Sequence, residues 1–191
     1  MLGDILPLPK DILARRLRNE LSQCRKEFKH FFSISDENFK KFPLSIMVTL
    51  VNTPGPIMDG GKLRNKYEHK LEIIITEDYP FQTPIVRWRS KIFHPNIMPP
   101  EDGGYICTKL LDEWGFKSTL PAFIRGIESL LINPNPENPF DNDTCTRAAE
   151  YFNKHAYHPP LATEYVKKKK PIVIVEEEHG DKDKGRDKKK N

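Results

Sequence analysis

Cysteines and long apolar segments are scarce in this sequence, and each shortage excludes a class of protein. The three cysteines, Cys24, Cys107 and Cys145, are too few and too scattered for a disulfide framework. No apolar run is long enough to span a bilayer, and residues 1–10 are interrupted by prolines and lack the core of a signal peptide. We therefore expect a protein of a reducing compartment, cytoplasmic or, in a eukaryote, also nuclear, without membrane association.

Excess charge is also missing from most of the chain. The net charge is +4, but residues 166–191 hold ten Lys/Arg against six Asp/Glu, out of chain totals of 31 and 27. The rest of the chain is therefore neutral, whereas a nucleic-acid-binding domain normally has a basic face. We expect no nucleic-acid partner, and we interpret the lysine-rich end as a charged, disordered tail that aids solubility.

The hydrophobic pattern predicts an amphipathic helix over Lys10–Phe32. Apolar side chains recur there every three or four residues and share one helix face: they are Leu13, Leu17, Leu21, Cys24, Phe28 and Phe31. Basic side chains fall on the opposite face: they are Arg15, Arg18, Arg25, Lys26 and Lys29. Cys24 lies in the apolar stripe and is predicted to be a core thiol.

The middle of the chain changes to strand-like patterns. Pro43–Val51 is rich in β-forming residues, and Tyr67–Thr76 and Ile85–Ser90 alternate between apolar and polar side chains. Asn52–Gly61 contains two prolines and three glycines and is predicted to form a turn. These segments predict three strands joined by short connections in an antiparallel meander.

A long segment with little regular structure separates the strands from two further helices. Phe93–Phe116 is rich in proline and glycine, and loops of this length inside compact domains are usually functional. The second helix is predicted to begin at a cap on Ser118 or Thr119 and to end near Leu131. The third is predicted over Asp143–His155, capped by Asp143 or Thr144.

The irregular segment contains the residues most suited to chemistry. A cysteine in a polar loop can ionise and attack a carbonyl carbon, and Cys107 is the cysteine in this segment. His94 and Cys107 together also suggest a protease pair. Within the rigid turn Phe93-His94-Pro95-Asn96, however, a histidine is more often hydrogen-bonded to the backbone than used as a base, so a protease is the less favoured interpretation.

Several short motifs occur in the order seen in ubiquitin-conjugating enzymes. They are Tyr79-Pro80-Phe81, Pro84, His94-Pro95-Asn96, Ile106-Cys107, Trp114, Ser129-Leu130-Leu131, Pro134-Asn135-Pro136 and Pro139. The sequence resembles this family over roughly Lys10–Tyr157. Each motif alone is weak, but the joint occurrence of the His-Pro-Asn triplet, the cysteine and the tryptophan is highly specific.

The resemblance implies a fold, a reaction and a set of partners. The fold would be α+β, with an N-terminal helix, an antiparallel four-stranded meander, a long active-site loop and C-terminal helices. Cys107 would accept ubiquitin or a ubiquitin-like modifier from an activating enzyme as a thioester and pass it to a lysine or a ligase. The thiolate is a good leaving group, so the transfer requires no metal or cofactor. Asn96 would either donate a hydrogen bond to the oxyanion, worth about 2.7–4 kcal/mol, or brace the Cys107 loop.

The sequence departs from the family pattern around the site. His94 to Cys107 is three residues longer than is usual in the family, with the extra length in Met98–Gly104, which leaves the placement of Asn96 relative to the sulfur open. Asn138 stands where relatives often have Asp or Ser, and it can orient an attacking lysine but cannot take its proton. Asp141 or Asp143 are candidates to substitute.

Docking surfaces are also implied by the resemblance. Phe81, Phe116 and Lys117 match the loops that meet ligases, although Phe81 would equally suit a core. The basic face of the first helix, with Arg15, Arg18, Arg25, Lys26 and Lys29, matches the surface that meets the activating enzyme, and its alternative is an ordinary solvated face.

The chain is divided into an extension over residues 1–9, a catalytic domain over 10–165 and a tail over 166–191. In the tail, Ile172, Val173, Ile174 and Val175 precede three glutamates and resemble motifs that add a strand to the sheet edge of a ubiquitin-like protein. Docking on the protein's own sheet, or a chance apolar patch, are the alternatives. For the whole chain, the rival function is a catalytically inactive variant that only binds a modifier or a ligase.

Overall fold

The computed structural model describes residues 6–107 and 114–160, which form an α+β fold around one antiparallel sheet. Elements follow each other in the order of one helix, four strands and two helices. Their bounds are α1 Lys10–Glu27, β1 Phe31–Ile34, β2 Leu44–Asp59, β3 Lys62–Ile75, β4 Ile85–Trp88, α2 Leu120–Ile132 and α3 Asp143–Lys154. The predicted fold class is therefore confirmed.

The four strands form a meander in the order β1-β2-β3-β4, each antiparallel to its neighbour. Strands β2 and β3 make a long hairpin that turns at Gly60 and Gly61, whose positive φ angles of 55° and 73° suit glycine. Alternate residues of the sheet face the core, as in Ile46 and Val48 of β2. The buried face of α1, including Leu17, and that of α2, including Ile124, complete one core with the sheet.

The first helix ends earlier than its hydrophobic pattern predicts. It stops at Glu27, because Phe28 is already extended, with φ −114° and ψ 148°. Phe31 begins β1 and is 67% exposed, so its predicted place on the buried helix face is wrong. The strand that was implied only by the family resemblance occupies this segment. Cys24, in contrast, is fully buried, as predicted.

The turn predicted over Asn52–Gly61 is also wrong in extent. Strand β2 continues to Asp59 through a bulge between Val51 and Gly55, where Asn52 adopts a positive φ of 60°. A side chain at Gly55 would overlap the ring of His69 on β3. The glycine therefore permits close strand packing here instead of forming a turn.

The sequence predicted the N-cap of α2 correctly and that of α3 incorrectly. Thr119 caps α2, accepting a hydrogen bond from the Ala122 N–H, as expected. The cap of α3 is Asn142, whose side-chain oxygen accepts from the backbone N–H groups of Thr144 and Cys145, so the assignment to Asp143 or Thr144 is wrong. Among the residues described, no helix is both long and apolar enough to cross a membrane.

Candidate active site

Cys107 and Asn96 lie side by side in a short hairpin. The Cys107 N–H donates to the Asn96 carbonyl at 2.8 Å, and the Met98 N–H donates to the Tyr105 carbonyl at 2.8 Å. Ile97 pairs with Ile106 between them. The residues beyond these pairs, Pro99–Gly104, form the hairpin tip, which contains most of the segment where the sequence predicts extra length. Added length there leaves the backbone pairing of Asn96 with Cys107 intact.

The tip, Pro99–Gly104, folds as one turn of 3-10 helix followed by two left-handed glycines. Gly103 and Gly104 have φ values of 103° and 66°, a region that other residues rarely adopt. The Trp88 N–H of β4 donates to the Gly104 carbonyl at 2.6 Å. Any side chain at Gly104 would overlap the Trp88 backbone. Two glycines are thus required for the tip to return toward Cys107 while it contacts the sheet.

His94 is a structural residue in this hairpin. It is 1% exposed, its Nδ1 accepts from the Asn96 N–H at 3.0 Å, and its Nε2 donates to the Leu130 carbonyl on α2 at 3.0 Å. Burial lowers the pKa of His94 to about 3. Both ring nitrogens are therefore occupied in a neutral ring, which is how a bracing residue is held and not how a general base is presented to Cys107.

The side-chain amide of Asn96 is bonded on both sides and is only 2% exposed. Its nitrogen donates to the carbonyls of Asn135 and Asn138, at 3.0 and 2.9 Å. Its oxygen accepts from the Asn135 N–H at 2.8 Å. The amide therefore joins the Cys107 hairpin to the loop that follows α2, residues 133–142. We call it the acceptor-side loop, because it carries Asn138 and Asp141, the residues predicted from the sequence to act on the attacking lysine.

The three thiols differ in their surroundings. Cys24 and Cys145 are fully buried, and burial, assisted by nearby carboxylates, raises the pKa of each thiol to about 12. Cys107 is partly exposed at the end of the hairpin. Because the thiolate is the nucleophile, a buried thiol of so high a pKa is unsuited to attack, and Cys107 is the thiol that can be reached.

Asn138 and Asp141 both belong to the acceptor-side loop, and both are exposed. The Asn138 carbonyl is held by Asn96, and the Phe140 N–H donates to the Pro95 carbonyl at 2.8 Å. The structure thus brings the loop that carries Asn138 and Asp141 against the hairpin that carries Asn96 and Cys107.

The residues predicted to meet ligases lie together. The rings of Phe81 and Phe116 stack at 5.6 Å, with Phe81 half-buried and Phe116 54% exposed. Lys117 is exposed beside them. The Trp114 indole N–H donates to the Pro80 carbonyl at 2.8 Å and ties the two loops together.

Two residues of α1 that the sequence interpretation missed support this aromatic pair. Arg16 donates to the carbonyls of Phe116 and Ser118, and its guanidinium carbon lies 5.1 Å from the centre of the Phe116 ring. Glu20 is buried and accepts from the Tyr79 hydroxyl and the Leu120 N–H. A signal was available, because Glu20 falls within the apolar stripe of α1, where a charged residue needs partners.

The basic residues predicted to meet an activating enzyme are all exposed: they are Arg15, Arg18, Arg25, Lys26 and Lys29. Four of them lie on α1, whereas Lys29 follows the end of the helix at Glu27. Arg18 also packs over the Phe39 ring at 5.4 Å. Ile172–Val175 lies outside the described residues, as does the boundary at 165/166, and both stay predictions.

A comparison of the sequence with known protein families shows which family the chain belongs to. The family described as ubiquitin-conjugating enzyme matches residues 16–159, most of the chain. The chain belongs to the ubiquitin-conjugating enzyme family. Membership makes it a transferase of the ubiquitin-conjugation pathway by family.

Individual members of the family are moderately similar. The chain is 34% identical over 135 residues to a Drosophila melanogaster protein, ubiquitin-conjugating enzyme E2 N, covering 70% of this chain and 82% of the relative. It is 28% identical over 158 residues to ubiquitin conjugating enzyme E2 B of Dictyostelium discoideum, covering 81% and 95%. The structure of the E2 domain of a Toxoplasma gondii ubiquitin conjugating enzyme superposes with a TM-score of 0.55 at 25% identity, covering 74% and 87%.

Two buried histidines predict that the stability of this protein depends on acid. Burial lowers the pKa of His69 to about 4 and that of His94 to about 3, whereas both titrate near 6.5 when unfolded. The unfolded chain therefore binds more protons below about pH 6.5, and the stability contributed by the neutral rings is lost as the pH falls toward 3–4. We expect the free energy of unfolding, measured by urea denaturation, to drop by several kcal/mol from pH 7 to pH 4.

Variants separate this effect from general acid denaturation. His69→Gln should flatten the pH dependence, whereas His155→Gln, at an exposed position, should leave it unchanged. A free energy of unfolding that stays constant between pH 7 and pH 4 would contradict the assignment.

Proposed function

We propose that this chain accepts ubiquitin or a ubiquitin-like modifier from an activating enzyme as a thioester on Cys107 and transfers it to a lysine or to a ligase. The observation that carries the proposal is the exposure of Cys107: its thiol is partly exposed, beside Asn96 in the His-Pro-Asn hairpin. Family membership supports the same reaction class. The three unpaired thiols are in keeping with a cytoplasmic location.

The transfer step requires only groups that this chain and its partners supply. The amine nitrogen of the acceptor attacks the thioester carbonyl carbon, a C–N bond forms, and the C–S bond breaks. The Cys107 thiolate leaves with the electron pair, and the amine loses a proton. We assign Asn138 to orient the incoming lysine, and Asp141, exposed on the same loop, to accept that proton.

A catalytically inactive, modifier-binding variant is the alternative function. Such a protein would bind a ligase through Phe81, Phe116 and Lys117 without forming a thioester. The exposure of Cys107 and the intact hairpin favour the enzyme. A cysteine protease is less favoured still, because the His94 ring is neutral and bonded at both nitrogens.

Loading of Cys107 is the first prediction of this proposed function. In a mixture with activating enzyme, ATP and modifier, from a panel of ubiquitin and ubiquitin-like proteins each with its own activating enzyme, we expect a thiol-sensitive adduct on a non-reducing gel. Cys107→Ser should give an oxygen ester that resists thiol, and Cys107→Ala should give no adduct. Cys24→Ala and Cys145→Ala, at the buried thiols, should still load.

Normal loading of Cys107→Ala would refute the proposal. Absence of any adduct on the wild type across the panel, with ligase binding retained, would favour the inactive variant instead.

Asn96 gives the second prediction, because both hydrogens of its amide are bonded to backbone carbonyls. We propose that its main role is to brace the acceptor-side loop, since service as an oxyanion donor would require one of these bonds to break. Asn96→Ala should leave two carbonyls and one N–H without partners and lower the free energy of unfolding by about 2–4 kcal/mol. Discharge to free lysine should fall more than loading does.

Two measurements on the same variant distinguish the two roles. A reduced melting temperature together with slower discharge supports bracing. An unchanged melting temperature with a loss of about 10²-fold in discharge would instead identify Asn96 as an oxyanion donor. Ser129→Ala, at an exposed position on α2, is a control that should change neither.

Charge on α1 gives the third prediction. We propose that Arg15, Arg18, Arg25, Lys26 and Lys29 meet the activating enzyme. Reversing charge with Arg15→Glu and Lys26→Glu should slow loading, with a defect that depends on salt, because exposed charges mainly steer association. Discharge of an already loaded enzyme to free lysine should be unaffected. An equal loss in both steps would indicate general damage and contradict the docking role.

A further inference from the structure

The lengthened hairpin tip reaches a second part of the fold. One carboxylate oxygen of Asp102, in the tip, accepts a hydrogen bond from the Asn142 side-chain nitrogen at 3.1 Å and from the Thr144 hydroxyl at 3.2 Å. Asn142 and Thr144 lie at the start of α3, about forty residues away in sequence. Asp102 is exposed, as is the adjacent Glu101 on the same turn, so the contact of Asp102 reflects its position facing α3 and not acidity alone.

Asn142 connects this contact to the acceptor-side loop. Its side-chain oxygen caps α3 by accepting from the N–H groups of Thr144 and Cys145, at 3.0 and 3.2 Å. Its side-chain nitrogen is left for Asp102, and its backbone N–H donates to the Phe140 carbonyl at 2.8 Å. The end of the acceptor-side loop is therefore fixed to α3 on one side and to the hairpin tip on the other.

The beginning of the same loop is held by the base of the hairpin. Asn96 bonds Asn135 and Asn138 through its side chain, and the Pro95 carbonyl accepts from the Phe140 N–H. The acceptor-side loop is therefore held by the base of the hairpin and by its tip. Asn138 and Asp141 belong to the stretch of the loop that these contacts hold.

A stacked column of side chains makes a further contact between the hairpin and this loop. The rings of Tyr105 and Phe140 lie 6.4 Å apart at an interplanar angle of 30°. The Arg87 guanidinium of β4 lies 3.7 Å from the centre of the Tyr105 ring. Tyr105 is two residues before Cys107, so the column connects the acceptor-side loop to the hairpin strand that carries the proposed nucleophile.

We propose that Asp102 is a positioning residue for transfer: it holds the acceptor-side loop at its α3 end so that Asn138 and Asp141 keep a fixed place relative to Cys107. This rests on the proposed function. Rates of transfer depend steeply on the relative placement of reacting groups, and Asp102 adds a contact from the hairpin to the end of the loop beyond Phe140, where Asn142 joins α3. Asp102 makes this contact from within Met98–Gly104, the segment where the family pattern predicts extra length.

The test uses the full-length chain in single-turnover discharge. Each variant is first loaded with ubiquitin, or with whichever modifier of the panel loads the wild type, the activating enzyme is then stopped, and discharge to free lysine is followed over a range of lysine concentrations. Asp102→Ala should load at the wild-type rate and lower the maximal discharge rate about tenfold. Glu101→Ala, the matched control on the same turn, should change neither step.

Conservative variants separate the hydrogen bonds from the charge. Asp102→Asn should retain most of the discharge rate, because its amide oxygen still accepts from Thr144 and Asn142. Thr144→Val should slow discharge by a smaller factor, and it should have no further effect when combined with Asp102→Ala. An Asp102→Asn variant as slow as Asp102→Ala would indicate that the charge acts by itself and would overturn the proposal.

The outcomes also separate this inference from the proposed function. If the wild type does not load, the proposed function fails. If the wild type loads and discharges but Asp102→Ala discharges at the wild-type rate, only the positioning role fails. If Asp102→Ala loses loading and discharge equally and its melting temperature falls, Asp102 is merely structural, and the positioning role is again overturned.

Discussion

The buried amide of Asn96 is the interaction on which the rest of the site depends. It lies at the base of the Cys107 hairpin, and its three hydrogen bonds all go to the backbone of the acceptor-side loop. A buried amide without partners would cost several kcal/mol, so the loop has to stay in place for the Asn96 side chain to remain buried. His94 extends the same constraint, because its ring joins the Asn96 N–H to α2. The His-Pro-Asn triplet is therefore understood first as a joint between the hairpin, α2 and the loop.

A second joint lies around the buried carboxylate of Glu20. Its oxygens accept from Tyr79, Leu120 and Arg16, and so connect α1 with the loop between β3 and β4 and with the start of α2. A buried carboxylate is tolerated because its partners satisfy it. The exposed Phe116 ring packs against Arg16, which the same carboxylate holds. The surface proposed to meet ligases and the helix proposed to meet the activating enzyme are thus parts of one packed unit.

The sequence allows some of this structure to be predicted and not the rest, for a physical reason. Richness in β-forming residues identified the first half of β2, period-two alternation identified the paired segments of β3 and β4, and Thr119 was recognisable as a cap, because these signals are local. The end of α1 could not be read from its apolar pattern, since Phe28 and Phe31 continue the helical spacing while the chain is already extended. In the same way, Cys107 and Asn96 were identified from motifs, but the occupancy of the Asn96 amide depends on residues about forty positions away.

The hairpin shows why added chain length close to Cys107 need not displace it. Backbone pairs at Asn96–Cys107 and Met98–Tyr105 fix the register below the tip, and added residues can only lengthen the chain above these pairs. The longer tip must still return to the sheet, and the left-handed Gly103 and Gly104 allow it to do so against Trp88. Once the tip projects, its polar side chains contact whatever lies above the site, which here is the start of α3. Under the proposed function, a longer tip therefore leaves the Cys107 sulfur where the backbone pairs below it place it, and changes only the surroundings of the incoming acceptor.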